Sequence, residues 1–336
     1  MPFQGSGGQL ERKLAVAHIY TLDQIKRAIE GLDLSRTLEE GFVAYSQGRV
    51  VVPPVGELIF EKPPGDTHIK YGYIKGDPFF VIKIASGFYQ NPTLGLPSSS
   101  GLMLVFSQTT GMVESILLDE GFLTDLRTAL AGRIAAKYLA PGNIDCIGVV
   151  GTGIQARMQV EHLQAVTACR QVIAWGRHPQ RLQAYKKDLE RLGFQIRTTQ
   201  DIQTIGSNCN LIVTTTPARA PLLSIDHIRP GTHITAMGSD TADKQELDAA
   251  IVSRADRVVA DSISQCRERG EIHKALEAGL LQSEKVVELG QVIADKTLRR
   301  TSEDQITVAD LTGVAVQDIQ IATAVVQALK KERTID

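Results

Sequence analysis

Hydrophobic and polar positions follow two regimes along the chain. Residues 22–32 carry apolar side chains at helical spacing. From Arg49 to about Leu118 the pattern becomes short β-type runs. Residues 50–52, 68–74 and 79–84 are expected strands, and 102–106 and 113–118 an expected hairpin through Gln108-Thr109-Thr110-Gly111. This first region therefore reads as α+β with a largely antiparallel sheet. At Leu123 the period turns helical, and an alanine-rich helix runs to Leu139, where Pro141-Gly142 stops it. Strands and helices then alternate, with strands expected at 144–150, 171–175, 194–197, 210–215, 232–237 and 257–260. Such alternation predicts a parallel, doubly wound sheet. Residues 314–329 predict a last helix, assigned back to the first region because the second already has its strands. Residues 1–8, rich in Gly and Ser, read as a loose tail.

The first strand of the alternating series runs straight into Gly151-Thr152-Gly153-Ile154-Gln155-Ala156. Physically this is a buried strand that turns tightly at Gly151. At Gly153 no Cβ intervenes between backbone and ligand, and Ala156 is small enough for close helix–strand packing. The helix N-terminus that follows offers unpaired N–H groups and a positive dipole end to a pyrophosphate. Gly151, Thr152, Gly153, Ile154 and Gln155 are thus the expected dinucleotide-binding turn. An acid near the end of the next strand usually binds the ribose 2′-OH of NAD. Here that strand ends Trp175-Gly176-Arg177, and a guanidinium suits a 2′-phosphate, which favours NADP over NAD. Thr214 and Thr215, at the end of the fourth strand, are expected to line the same crevice.

Size and composition narrow the classes. The chain has 336 residues, enough for two domains, and a formal charge of −2, which argues against a nucleic-acid partner. No apolar run is long enough to cross a bilayer, and no apolar segment follows Arg12-Lys13 to make a signal peptide, so the expected location is cytoplasmic. The four cysteines are widely spaced, which reads as reduced structural thiols, and the histidines form no metal-binding pattern.

Three charged residues stand out. Lys83 sits in an otherwise hydrophobic strand, Val81-Ile82-Lys83-Ile84, where a cation either faces solvent or points into a cleft. Arg127 lies near the start of the alanine-rich helix among small residues, and its guanidinium is shaped to hold a carboxylate. Asp240 follows the fifth strand in Gly238-Ser239-Asp240, where an acid either binds an ammonium or serves as a general base. Asp243-Lys244 are expected to start the next helix.

Together these residues resemble the ornithine cyclodeaminase/μ-crystallin family. The likeness spans nearly the whole chain. It is carried by Lys83-Ile84-Ala85-Ser86-Gly87-Phe88, by Leu117 to Ala129, by the glycine turn, by Gly238-Ser239-Asp240 and by Asp310 to Asp318. The resemblance implies a Rossmann domain over 123–309, with 123–140 as a connecting helix. It implies a substrate-binding and dimerisation domain from 1–122 and 310–336, and a homodimer. It also implies that Lys83 and Arg127 hold a substrate carboxylate and that Asp240 is catalytic. One departure stands out: Gly56 or Glu57 occupies the place where many members carry another carboxylate-binding arginine, which makes Glu57 a candidate substrate contact. The chemistry implied is hydride transfer at the Cα of a small amino or imino acid, as in an amino-acid dehydrogenase or ketimine reductase. The alternatives are a cyclodeaminase that releases ammonia and recycles NAD, and a non-catalytic NADPH- or ligand-binding protein of the μ-crystallin kind.

Overall fold

The computed structural model describes residues 17–88 and 90–335; the N-terminal tail lies outside them. Two large sheets organise the chain. The first is seven-stranded, in the order His18–Thr21, Val113–Leu118, Ser99–Ser107, Phe79–Phe88, Pro64–Ile74 and Val50–Val51, with Gly56–Glu61 also paired to Pro64–Ile74. All its pairings are antiparallel except that of His18–Thr21 with Val113–Leu118.

The second sheet has eight strands, all parallel. Their order is Gln195–Thr199, Gln171–Trp175, Ile147–Val150, Leu211–Thr214, His233–Ala236, Thr307–Asp310, Arg257–Ala260 and Val286–Glu288. This is a Rossmann-type, doubly wound sheet. Every strand expected after residue 140 is present. Strand order reverses between Ile147–Val150 and Leu211–Thr214, so a crevice opens there at the carboxyl ends, where such sheets bind ligands.

Sequence periodicity missed several elements. The strand Gly56–Glu61 carries exposed Leu58, Ile59 and Phe60 and has no alternation to betray it. The helix Leu34–Ser46 and the strands Val286–Glu288 and Thr307–Asp310 also went unread. Residues 243–244 do not begin a helix. They precede a short strand, Gln245–Leu247, that pairs with Arg219–Leu223. The next helix is Ala249–Arg254, capped by the Asp248 carboxylate on the Ala250 N–H. The helix expected from Asp243 thus starts later, with Asp248, five positions on, as its cap.

Two helices tie the sheets together. Phe122–Leu139 buries Leu123, Leu126, Leu130 and Ile134 in the core of the first sheet. The strand Thr307–Asp310, in the middle of the parallel sheet, leads through Thr312-Gly313 into the helix Val316–Ile335. That helix packs on Leu34–Ser46 and on the strands Pro64–Ile74 and Phe79–Phe88. The carboxyl ends of the parallel strands therefore face the charged strands of the first sheet.

Candidate active site

The glycine turn shapes one wall of a cleft of about 440 Å³, lined by Gly151, Thr152, Gly153, Trp175, Arg177, Thr215 and their neighbours. Gly151 has φ +125°, a region unfavourable to side chains, and a Cβ there would stand 2.6 Å from Thr215 Oγ1. Gly153 is different. Its backbone is extended, and a Cβ would meet nothing within 4 Å, so the space in front of it is open. Gly153 precedes the helix Ile154–Leu163, whose first N–H groups receive no side-chain cap. An uncapped helix N-terminus at an open cleft fits a pyrophosphate. Ala156 is fully buried beneath it, as its size requires.

The remaining expected cofactor contacts divide. Arg177 stands on the cleft wall with His178 and Arg181, and no carboxylate is among the lining residues. Thr215 lines the cleft, and its hydroxyl donates to the Val150 carbonyl at 3.1 Å. Thr214 does not line it. Its side chain is fully buried, and its hydroxyl donates to Glu246 at 2.7 Å. The alternation of strand residues sends neighbouring threonines to opposite faces. Ile154 is exposed, and Gln155 turns aside to donate to the Asp125 carbonyl and carboxylate at 3.0 and 2.9 Å.

The second half of the site is a buried charge cluster on the first sheet. Lys83 and Arg127 are only 3% and 5% exposed, and both bind one carboxylate, Asp318, itself 1% exposed. Arg127 Nε lies 3.0 Å from Asp318 Oδ1, and Lys83 Nζ lies 3.5 Å from Oδ2. Arg127 Nη1 also donates to Gln317 Oε1 at 3.3 Å. Burial pushes the Lys83 ammonium below its ordinary value, with Asp318 opposing. Burial alone would raise Asp318, but Lys83, Arg127 and Lys70 outweigh it and hold the carboxyl below the usual range. Asp318 is thus a fixed anion that aligns two cations.

Lys70 and Asp318 were not singled out from the sequence. Lys70 stands directly across the sheet from Lys83 and is 8% exposed. Its ammonium donates to the carbonyls of Thr312 and Gly313 at 3.2 and 2.7 Å. Asp318 lies in the first turn of the last helix, a position where an acid also complements the dipole. The one signal that could have marked it is its setting among apolar residues.

Asp240 faces this cluster from the parallel sheet. Its side chain is 47% exposed, and Lys244 Nζ lies 2.5 Å from its Oδ1. Burial acts to raise its pKa, but Lys244, Lys70 and His68 together hold it below the usual carboxylate range. Glu57 does not reach toward Lys83. It pairs with Arg269 at 2.8 Å and lies 3.6 Å from His68 Nδ1. Arg269 also donates to the Asp240 carbonyl at 3.4 Å. Where an arginine was expected from the first sheet, the chain has an acid, and an arginine arrives instead from the opposite domain.

Fold and site define an α/β protein in which a Rossmann-type parallel sheet presents its carboxyl ends to a buried cationic cluster packed on a largely antiparallel sheet. The chain belongs to the ornithine cyclodeaminase/mu-crystallin family, whose model matches residues 16–333. An uncharacterized cyclodeaminase, y4tK, of Sinorhizobium fredii is 42% identical over 299 residues, covering 88% of this chain and 90% of that protein. An archaeal alanine dehydrogenase dimer with bound NAD is 32% identical, with TM-score 0.85 over 94% of this chain and 97% of that one. The iminosuccinate reductase of Paracoccus denitrificans, solved with NAD+, is 30% identical, with TM-score 0.82 over the same shares.

Proposed function

We propose that this protein is an enzyme that moves a hydride between a nicotinamide dinucleotide and the Cα of a small amino or imino acid. The observation that carries this reading is the buried pair Lys83 and Arg127, held on Asp318 opposite the open dinucleotide cleft. Two cations in a water-poor site bind a carboxylate far more strongly than they would in water. They would fix the substrate's Cα in one orientation, which is the larger part of their contribution to rate. Asp240 is held ionised at neutral pH and can accept an amine proton or orient water. When bound, the dinucleotide supplies the hydride acceptor or donor. The family likeness and the named activities of its relatives support this reading.

The lead form is an amino-acid dehydrogenase or imine reductase, on the ground that Glu57 replaces a carboxylate-binding cation. The identity to a protein named a cyclodeaminase keeps that second reading in play. Incubation with ornithine and catalytic NAD separates them. Proline and ammonia without net NADH would establish the cyclodeaminase, whereas stoichiometric NAD(P)H from an amino acid would establish the dehydrogenase. Absence of turnover on a broad amino-acid and imine panel, with cofactor bound, would favour the binding-protein alternative.

NADP is preferred over NAD in this reading, on the strength of Arg177, His178 and Arg181 on an acid-free wall. Arg177→Ala should raise the NADP KM about tenfold and leave the NAD KM unchanged. A wild-type kcat/KM higher with NAD than with NADP would reverse the assignment. A homodimer is supported by the exposed apolar edge Leu58, Ile59 and Phe60. Light scattering that returns the monomer mass would exclude it.

A further inference from the structure

Three buried cations, Lys70, Lys83 and Arg127, face one buried partner anion, Asp318. Asp240 is nearby but already paired with Lys244. Of the other buried acids here, Asp119 accepts from the Leu123 N–H at 2.8 Å, with burial raising its pKa, and Asp261 accepts the Gly313 and Val314 N–H groups and the Thr312 hydroxyl. Against Asp318, the carboxylate that pairs with two of them among the described residues, the three cations are in surplus by two when Lys70 holds its proton, below about pH 7. A substrate with one carboxylate would leave one of them unmatched.

Lys70 carries that surplus. It forms no ion pair with any described residue, and two carbonyls occupy only two of its three N–H donors. It stands directly opposite Lys83 across the sheet, an arrangement of like charges that costs stability unless something else uses it. Neutral donors could anchor the Thr312-Gly313 loop equally well. Gly313 shows where the cations meet. A Cβ placed there would lie 3.0 Å from Arg127 Nη1 and 3.1 Å from Lys70 Nζ. The glycine, at φ +82°, lets the backbone approach both cations at a point too tight for a side chain.

We infer that Lys70 determines specificity by receiving a second, distal carboxylate, so that the substrates are amino or imino dicarboxylic acids. This rests on Lys83 and Arg127 as the α-carboxylate clamp. It makes Lys70 a residue that touches substrate rather than a loop anchor or a general base.

The test uses the full chain, with and without saturating NADP. Calorimetry compares succinate, an unreactive dianion, with propionate, and turnover compares L-aspartate and L-glutamate with L-alanine. Wild type should bind succinate at least about tenfold more tightly than propionate, the range of one charged hydrogen bond. Lys70→Gln, which keeps a neutral donor near the loop, should erase that preference, and Lys70→Arg should retain most of it. In turnover, Lys70→Gln should lower kcat/KM for the dicarboxylic amino acid about ten- to a hundredfold more than for alanine, mainly through KM. A kcat loss shared by all substrates, or equal wild-type affinity for succinate and propionate, would overturn the inference. Lysine-dependent succinate binding without any turnover would support the subsite while sinking the redox reading. Turnover of alanine over both dicarboxylic acids, unmoved by Lys70→Gln, would sink the subsite alone.

Discussion

The protein buries one cluster of acids and one of cations, and they are finished differently. At the carboxyl ends of the parallel strands lie the buried acids Glu246, Glu271 and Asp310. Glu246 accepts from the Thr214 and Thr216 hydroxyls, both at 2.7 Å, and from the Thr216 and Gly238 N–H groups at 2.6 and 2.9 Å. Glu271 accepts the Glu246 and Leu247 N–H groups, and Asp310 that of Ile272. Burial pushes Glu246 up to about 7 and Glu271 up to about 8. These acids are saturated by their own protein. Against the first sheet, Lys83 and Arg127 share one carboxylate, while Lys70 pairs with none among the described residues and keeps a donor unused. A shifted pKa is thus common to both clusters and does not mark the site. Unmatched charge distinguishes the cationic cluster as the candidate site.

The sharpest break in this contrast is Arg127→Met. It leaves Asp318 buried with only Lys83, at 3.5 Å. The expected loss is about 10²–10³-fold in kcat/KM, together with about 3 kcal/mol of stability from the half-paired carboxylate. Cofactor affinity, read by fluorescence titration, should change far less than kcat/KM, because Arg127 does not line the cleft of the glycine turn. A parallel collapse of cofactor binding would mean the two regions are not independent.

Lys70 gives the next largest effect, and it depends on pH. Burial, then Lys83 and Arg127, lower its pKa to about 7, with Asp318 and Asp240 opposing. Between about pH 7 and the ordinary lysine value of 10.5, the unfolded chain holds this proton and the native state does not. Stability from this group therefore rises with pH, and its cost is greatest below pH 7. Lys70→Gln should accordingly stabilise the ligand-free protein by a few kcal/mol, roughly 2–4, at pH 6 and progressively less toward pH 10. Denaturant melts of both proteins across that range isolate the term, since Glu246 and Glu271 contribute equally to each. A constant difference would show that Lys70 is not a buried cation in solution.

What could be read from sequence follows the same division. The nucleotide turn was legible because its demands are local: a strand, Gly151 with positive φ, open space at Gly153, a small Ala156. Arg127 and Lys83 were ambiguous one by one, since strand and helix patterns equally permit an exposed face, and only their joint likeness to a family singled them out. Lys70 was invisible because His68-Ile69-Lys70-Tyr71-Gly72 reads as the solvent face of an antiparallel strand. Its burial comes from the Val316–Ile335 helix, nearly 250 residues away, through contacts that no local period records. Glu57 was legible as a departure, but its partner Arg269 was not, because the pairing is made between domains.

Smaller changes test the nucleotide side. Gly153→Ala meets no atom within 4 Å and no forbidden backbone, so the melting temperature should hold while cofactor Kd rises about tenfold from the occupied space. Gly151→Ala is strained by φ +125° and by Thr215 Oγ1, and should cost about 1–3 kcal/mol of stability as well as affinity. Equal behaviour of the two alanines would remove the distinction between a turn glycine and an approach glycine.

The smallest expected effect separates the adjacent threonines. Thr214 and Thr215 look alike in sequence, yet one hydroxyl is bound to Glu246 and the other stands on the cleft wall. Thr214→Val keeps the shape and withdraws one of the four donors that satisfy Glu246. It should cost about 1 kcal/mol of stability and leave cofactor Kd unchanged. Thr215→Val removes only a hydroxyl bonded to the Val150 carbonyl at the crevice, so it should move cofactor Kd more than stability. The Thr214 loss should also grow with pH. A carboxyl pushed up to about 7 is neutral below that pH and able to donate. Above it, each missing donor faces a full buried charge. Thermal melts of Thr214→Val at pH 6 and pH 8.5 measure this directly. If its penalty is the same at both, Glu246 does not ionise in the native state, and the acids at the strand ends are a neutral hydrogen-bonded network set against a charged one.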